Sequence, residues 1–439
     1  MYSATLTVNR GGTPFLATEV RLLFLLTFAI CVVIPHSAQT VTGALILLTG
    51  LLSLLAMRGG EKLTYIGICY LLGAMVTCFY LAIGLANGAP TEAIVQTIIT
   101  YLISPLLWIV ILRAALQVVG IEQLVRYMIV LAWLVCASVA IFFYLYLTRG
   151  AAAVAFLTEN ANIYLGRGFS GATMHVYGTL IFLVGAFLAA PEVIKSKLNR
   201  ILLLGALAVA ALTSGRSALI FAIPAGLLVG LVVRQLGRRG MADGSRPRAG
   251  MGLRYAIIIL TGAVLVAILD YFIADVDVLV ILQSAWEKLT GGGGEARIDQ
   301  TVSLWQGIRD TYGLGAGHGV GVSIERNSEF AWRYENVPLA VLYRAGILGA
   351  AIYALPFVIY FMRAGKSVLA GVMTNYDRFM FAGLVAVALA GWTNPYLESF
   401  IFQWMFILPL VSFDVDQRRI AQGRGPVPRT SQAQAPELS

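Results

Sequence analysis

The chain has 439 residues, of which 59% are hydrophobic and only 12% are charged. Its mean hydropathy of +0.82 lies outside the range of soluble domains, so the composition excludes a water-soluble enzyme or binding module. The formal net charge of +9 would fit a nucleic-acid partner, but the placement of the basic residues along the chain gives it another explanation.

Apolar runs separated by short polar breaks recur along the whole chain. A bilayer core about 30 Å thick needs about 20 apolar residues per helix, and alternating ten-residue strand patterns are absent. We therefore predict an all-α polytopic membrane protein that forms a single integral membrane domain over residues 1–439. About twelve spans are predicted, at 22–35, 41–57, 63–86, 95–112, 126–147, 174–190, 201–213, 218–233, 255–272, 337–361, 379–393 and 399–413.

The basic residues predict the orientation of these spans. An even number of spans places both termini on one side, and with cytoplasmic termini most of the 31 Lys and Arg residues fall on the cytoplasmic side. Residues 234–254 then form a basic cytoplasmic loop at anionic lipid, and the polar tail 414–439 is predicted to be disordered. The positive charge reports membrane topology, and no nucleic-acid partner is predicted.

The outer face carries two large predicted loops, 148–173 and 273–336, and the second of them precedes the tenth predicted helix. Basic residues are normally scarce on this face. Pairing with acids of the same face, Glu398 among them, is one explanation, and an anionic ligand is another. The basic residues concerned are Arg149, Arg167, Arg216, Lys288, Arg297, Arg309, Arg326, Arg333 and Arg344.

Residues that commonly hold metals are few and scattered. The cysteines lie inside apolar runs without zinc spacing, and the histidines lack metal-ligand spacing. Asp275 and Asp277 form a DxD sequence, which is a weak signal within an apolar segment. No metal or other cofactor is predicted. The residues concerned are Cys31, Cys69, Cys78, Cys136, His36, His175 and His318.

Glycines at alternate positions mark the second large loop: Gly313, Gly315, Gly317, Gly319 and Gly321. The run lacks the Gly-Lys-Ser/Thr of a P-loop and the spacing of GxGxxG. It could offer backbone N–H groups to an anion and act as a moving cover, or it could be a flexible turn that re-enters the membrane. His318, inside the run, is a candidate for contact with substrate.

Arg216 stands in a tight outer turn, Thr213–Ser217, between two apolar helices. A guanidinium group suits a diphosphate because its planar fork of donors meets two oxygens at once. Snorkelling of the side chain to the membrane surface is the alternative explanation. Trp305, with Trp286 and Trp332, could stack on sugar rings or anchor the loop at the membrane surface.

Glu335 and Asn336 stand where this loop meets the tenth apolar run. A partly desolvated carboxylate at this position would suit proton abstraction, whereas an ordinary capping acid is the alternative. Arg344 lies nine residues after Glu335, on the opposite side of a helix, so the two are not expected to pair. A charged residue inside a membrane helix is costly, which makes Arg344 a site candidate.

Three features together resemble the superfamily of O-antigen ligases and O-antigen polymerases, which are bacterial inner-membrane glycosyltransferases. They are Ser214–Arg216 in a tight turn, a late outer loop with Trp305 and YGLGAGHGVG, and ENVPLAVLYRAGILG opening the next helix. The match covers most of residues 201–361. The family's ligases carry a histidine where this chain has Glu335, which favours a polymerase.

The resemblance implies a GT-C-type fold and a donor made of undecaprenyl diphosphate linked to an oligosaccharide, bound from the periplasmic leaflet. In metal-independent inverting glycosyl transfer, Glu335 would be the base and Arg216 would hold the diphosphate. The substrate-binding candidates are Arg167, Arg297, Arg309, His318, Asn336, Arg344 and Trp305. Membrane lipid, a chain-length regulator and other polysaccharide assembly proteins are the expected partners. A ligase that transfers glycan to a lipid core or protein, and a non-enzymatic glycan flippase or exporter, are the alternatives.

Overall fold

The computed structural model describes residues 14–35, 39–56, 65–157, 163–166, 169–172, 174–214, 217–240, 295–323, 332–392 and 394–421. Within these ranges the chain is an α-helical polytopic membrane protein. Six of the described helices are long and apolar enough to cross a membrane, by length and composition. They are Leu16–Val33, Gln39–Ala56, Tyr65–Ala86, Thr91–Val118, Ile121–Arg149 and Val337–Leu369.

The helices follow the apolar runs of the sequence. Each predicted span falls on a helix except 255–272, which lies outside the described residues. A π-helical turn, Ile98–Ile103, joins α4 to α5. The helices are α1 (Pro14–Val33), α2 (Gln39–Ala56), α3 (Tyr65–Ala86), α4 (Thr91–Thr97), α5 (Ser104–Val118), α6 (Ile121–Arg149), α7 (Val176–Ala189), α8 (Lys197–Leu212), α9 (Ser217–Gly240), α10 (Glu295–Asp310), α11 (Val337–Leu369), α12 (Asn375–Ala390) and α13 (Trp404–Ala421).

Helix α7 forms the centre of the bundle, and every one of its residues is buried. A helix that is apolar all round needs neighbours on all sides, and α7 packs against α9 and α12. Small residues permit this approach: a Cβ on Gly226 of α9 would lie 2.7 Å from the carbonyl oxygen of Gly185 in α7. On the outer helices, large apolar side chains such as Met75 and Met362 are exposed, as expected where a surface faces lipid.

Two helices extend beyond the predicted boundaries. Helix α9 continues to Gly240, so the start of the predicted basic loop 234–254 is helical. Helix α13 continues to Ala421, so the start of the predicted disordered tail 414–439 is helical too. Both extensions contain Arg and Gln, which favour helices, and basic residues near a helix C-terminus complement its dipole. Hydropathy marks only where the apolar part of a helix ends.

The two predicted outer loops contain secondary structure that hydropathy does not predict. In 148–173, an antiparallel hairpin pairs β1 (Ile163–Gly166) with β2 (Phe169–Ala172). In 273–336, α10 packs against α11. The described residues after α10, from 311 to 323, pass between α3 and α11, and we call this segment the strap.

Candidate functional site

The strap forms hydrogen bonds with the backbone of α11 at the point where this helix is broken. Gly346 has φ 63° and ψ −175°, which interrupts the helical hydrogen bonds of α11. The N–H groups of Ala316 and Gly317 donate to the carbonyl oxygens of Tyr343 (2.8 Å) and Arg344 (2.9 Å). In return, Ile347 donates its N–H to the carbonyl oxygen of Gly313 at 2.9 Å. The strap therefore satisfies backbone groups that the break exposes.

Glycines let the strap lie directly against its neighbours. Gly315, Gly317 and Gly319 have φ of 94°, 98° and 86°, a region that other residues rarely adopt. A Cβ on Gly317 would lie 2.3 Å from the backbone nitrogen of Gly84 in α3. The His318 N–H donates to the carbonyl oxygen of Tyr80 at 2.9 Å. Because these donors already bond to the protein, the geometry argues against both the anion-binding loop and the moving cover.

A buried ion pair lies beside the strap. Arg344 is only 4% exposed, and its guanidinium donates to the carboxylate of Glu398 and to the carbonyl oxygen of Trp332. The same guanidinium lies 4.9 Å from the centre of the Tyr334 ring. As the helical spacing predicts, the carboxylate partner of Arg344 is not Glu335. Burying two charges is costly, so such a pair persists only where further contacts satisfy it.

Glu398 is placed by the π-helical turn. Tyr101, on that turn, donates its hydroxyl hydrogen to Oε1 of Glu398 at 2.7 Å. Gln403 joins the two segments by donating to the carbonyl oxygens of Thr100 (2.8 Å) and Leu397 (3.0 Å). A π-helical turn adds a residue to a helix, and such turns often occur at functional sites. Here it directs Tyr101 towards Glu398.

A shallow cleft that is open to solvent lies at this pair, and its empty space of about 260 Å³ includes part of that solvent. Its walls combine both charges of the pair with aromatic rings, hydroxyl groups and one amide. The indole N–H of Trp332 donates to Oε1 of Gln96 at 2.8 Å, which fixes one wall against α4. The lining residues are Gln96, Thr97, Thr100, Tyr101, Gly319, Trp332, Arg344 and Glu398.

His318 lies beneath the cleft and is fully buried. Its Nε2 is 3.0 Å from the hydroxyl of Tyr353, which is 2.7 Å from the hydroxyl of Thr77. Burial, assisted by the charge of Arg344, lowers the pKa of His318 to about 3, so the ring is neutral at pH 7. The structure thus places this residue in the core, and it is not among the residues that line the cleft.

Glu335 and Asn336 lie in the short segment that leads from Trp332 into α11. Asn336 is the N-cap of α11, and its side chain accepts a hydrogen bond from the N–H of Leu339 at 3.2 Å. Glu335 is half-buried, and its backbone N–H donates to Oε1 of Gln300 in α10 at 3.3 Å. The capping role at the start of α11 therefore belongs to Asn336 and not to Glu335.

The other predicted site residues do not gather at the cleft. Trp305 is 52% exposed and Arg309 is exposed, both on α10. Arg297 is on the same helix, but its side chain lies outside the described part. Arg167 and Arg216 lie outside the described residues, as do Asp275, Asp277 and Trp286. Among the described residues, no group of three or more His, Cys, Asp or Glu side chains could hold a metal ion.

The sequence did not single out four residues of the cleft, and it named Glu398 only as one acid of its face. The four are Gln96, Thr97, Thr100 and Tyr101. The sequence treats Glu398 as one of many outer acids that pair in solvent. A better signal was available, because an arginine inside an apolar helix needs a carboxylate partner. Glu398 lies in a short turn between two apolar runs, where an acid is close to the membrane core.

Neither a protein-family model nor a curated protein sequence matches this chain.

Proposed function

We propose that the protein is a polysaccharide polymerase of the bacterial inner membrane. It joins oligosaccharide repeat units linked to undecaprenyl diphosphate, at the periplasmic face, by inverting glycosyl transfer that needs no metal. The proposal includes about twelve spans in a GT-C-type arrangement, with both termini in the cytoplasm. The buried Arg344–Glu398 pair at the base of a polar cleft is the observation that carries it.

That observation supports chemistry on a polar ligand at the membrane boundary. Ionisable residues inside membrane helices are rare and usually serve a ligand or an ion pathway. The pair and its cleft lie at the end of the bundle where the strap, Trp332 and Glu335 also lie. All these segments belong to one face in the orientation that the basic residues predict. A long-chain lipid could reach this end from between the apolar helices without leaving the bilayer.

Glu335 acts as the base in the proposed reaction. Its carboxylate accepts the proton of an acceptor hydroxyl, and the hydroxyl oxygen attacks the anomeric carbon of the donor. The bond between that carbon and the diphosphate oxygen breaks, the configuration inverts and undecaprenyl diphosphate leaves. Arg216 stabilises the charge that grows on the diphosphate, with Arg297 and Arg309 as helpers. Each such contact contributes about 2–4 kcal/mol if it resembles an oxyanion donor.

A strain that makes the polymer, with its own copy of the gene deleted and variants supplied in trans, tests this function. Arg216→Ala and Glu335→Gln should lower polymer formation about 100-fold or more and accumulate single lipid-linked repeat units. Lipid-linked oligosaccharides are measured by mass spectrometry, and membrane insertion by immunoblot. Asp310→Asn, which removes an exposed acid at the end of α10, is the matched control and should polymerise normally.

Three outcomes would contradict the proposal in different ways. Normal polymer length and yield in Glu335→Gln would remove that residue as the base. Transfer of single units to a lipid core or protein, without long chains, would identify a ligase. Movement of the substrate across a reconstituted bilayer without a new glycosidic bond would identify an exporter.

A further inference from the structure

Helix α10 exposes an apolar stripe on the side that faces away from α11. Ile298, Val302 and Trp305 follow one another at the i, i+4 and i+7 positions of one helix face, and they are 47%, 50% and 52% exposed. On the other side, a Cβ on Gly307 would lie 2.5 Å from the ring of Tyr343 in α11. A helix divided in this way has apolar surroundings on one exposed side and water on another. The exposed polar stripe consists of Asp299, Gln306 and Asp310.

The first residues of the strap extend the apolar stripe onto α11. Tyr312 and Leu314 are 89% and 73% exposed. Between them, the carbonyl oxygen of Gly313 accepts a hydrogen bond from the N–H of Ile347 at 2.9 Å. Ile347 and Leu348 are 65% and 71% exposed, and they belong to a span that is long and apolar enough to cross a membrane. The apolar surface of α10 and the strap is therefore continuous with the surface that α11 presents to lipid.

The strap meets α3 well inside the ends of that helix. Tyr65–Ala86 has 22 residues and is about 33 Å long, close to the roughly 30 Å of a bilayer core. The hydroxyl of Tyr80 donates to the carbonyl oxygen of Leu314 at 2.8 Å. Tyr80 lies six residues, or about 9 Å, before the end of α3 at Ala86. At this contact the strap lies within the thickness of the bilayer core.

The backbone of the strap suits this depth. Irregular backbone inside a membrane is tolerated only where its polar groups bond within the protein or line a cavity. The N–H groups of Tyr312, Gly313 and Leu314 each donate to a carbonyl oxygen three or five residues earlier, at 2.8 or 2.9 Å. The side-chain amide of Asn87 donates to the carbonyl oxygen of Ala316 at 2.9 Å. Where the strap is most exposed, it presents apolar side chains and bonded N–H groups.

We propose that α10 and the strap form a re-entrant segment, whose stripe from Ile298 to Leu314 contacts the acyl chains of the lipid leaflet at the Ala86 end of α3. Bilayer lipid covers this stripe, and neither a soluble partner nor a second copy of the chain does. Trp305 and Tyr312 lie near the lipid headgroups, where aromatic rings with a polar atom are favoured. The inference concerns how the loop is placed in the membrane, so it does not depend on the proposed glycosyl transfer.

Arg309 limits how deep the segment lies. It is on the same stripe, one turn after Trp305, and a guanidinium among acyl chains is costly. Side chains of a helix tilt towards its N-terminus. That end of α10 is close to the entry to α11, because Gln300 accepts the N–H of Glu335 there. Arg309 can therefore extend towards the lipid phosphates while its aliphatic stem lies along the stripe.

Fluorescence quenching of the full-length protein in lipid nanodiscs tests this placement. Trp305→Phe keeps an aromatic ring, so the difference between wild type and variant reports the indole of Trp305. In phosphatidylcholine with brominated acyl chains this difference should fall by about half or more, because Trp305 is 52% exposed. Dissolved iodide should leave it nearly unchanged. Trp332→Phe is the matched control, and the Trp332 signal should resist bromine because this indole lines the cleft and bonds to Gln96.

Leu314→Trp gives a second measurement at the deeper end of the stripe. The position is 73% exposed, so a larger apolar side chain fits without repacking the strap. The added fluorescence should be quenched by brominated lipid more strongly than that of Trp305.

Three outcomes would overturn the placement. Quenching of Trp305 by iodide and not by bromine would put the stripe in water. Quenching by neither would mean that protein covers it. Equal quenching of Trp305 and Trp332 by bromine would mean that the stripe is no closer to lipid than the cleft is.

Discussion

Ion pairs lie near both ends of helix α12, and they differ in how far solvent reaches the carboxylate. At its N-terminal end, Glu192 lies 2.6 Å from the guanidinium of Arg234 and 3.6 Å from that of Arg378, and its side chain is 38% exposed. Beyond its C-terminal end, Glu398 contacts one arginine, Arg344, and both side chains are nearly buried. Water and two arginines share the first carboxylate, whereas protein atoms and a small cleft surround the second.

This difference is the one expected if the first pair joins helices and the second, as proposed, serves a ligand site. The Glu192 cluster connects the turn after α7 to α9 and α12. Solvent reaches its carboxylate, whereas the side chains of Arg234 and Arg378 are only 10% and 12% exposed. The Arg344–Glu398 pair pays a desolvation cost that apolar side chains of similar size would avoid. A costly pair at the base of an open cleft is therefore better explained by ligand binding than by stability.

Breaking one ion pair at a time has the largest expected effect on the free energy of unfolding. Glu398→Gln leaves the Arg344 charge buried and unpaired, so the free energy of unfolding should fall by about 3–5 kcal/mol. Glu192→Gln, the matched change at the other end, should cost less, about 1 kcal/mol, because this carboxylate is 38% exposed and Arg234 also donates to the carbonyl oxygen of Ala189. Unfolding in mixed detergent micelles, followed by circular dichroism, measures both. Equal losses would remove the distinction between the two ends.

Replacing glycines tests how firmly the strap is fixed against α3 and α11. Gly317→Ala places a Cβ 2.3 Å from the backbone nitrogen of Gly84 and at φ 98°, so it should cost about 3 kcal/mol or more. Gly88→Ala has a similar φ of 81° but no atom within 4 Å of its Cβ, so it isolates the backbone term, about 1–2 kcal/mol. The same unfolding assay compares the two variants.

Gly365→Ala completes this series. This glycine lies inside α11 with open space around its Cβ, and alanine favours a helix, so the variant should be unchanged or slightly more stable. If Gly317→Ala were as stable as Gly365→Ala, the strap would not be fixed against α3. The moving cover would then return as an explanation of the glycine run.

Hydropathy predicts the helices well because an apolar run in a membrane has few alternatives to a helix. It does not predict the break at Gly346 or the π-helical turn at Ile98–Ile103. Both are local distortions that gain their stability from distant partners, namely the strap and the turn that carries Glu398. The hydropathy and helix propensity of a short stretch of sequence contain no information about such partners.

Only part of the site was predicted from the sequence, for the same reason. Arg344 could be found because its charge is conspicuous in an apolar run. Its partner was not singled out, since Glu398 is 54 residues away and looks like any acid in a turn. His318 and the glycines were noticed together, yet their burial depends on Gly84 and Tyr80 of α3, more than 200 positions earlier. Contacts at that separation leave no local pattern.

The smallest expected effect is the pH dependence of stability that His318 causes. Its pKa is about 3 in the folded protein and 6.5 in the unfolded chain, so below pH 6.5 only the unfolded chain takes up this proton. Stability should therefore be full above pH 6.5 and fall as the pH is lowered from 6.5 towards 3, by at most about 1.4 kcal/mol per pH unit.

His318→Gln keeps a partner for the hydroxyl of Tyr353 and removes the titrating ring, so the difference between wild type and variant isolates this residue. That difference, measured between pH 7.5 and 5, should change by about 2 kcal/mol. Contributions from the rest of the chain are common to both proteins and cancel. A difference that stays constant with pH would mean that water reaches His318, and the surroundings of the Arg344–Glu398 pair would then resemble those of the Glu192 carboxylate at the other end of α12.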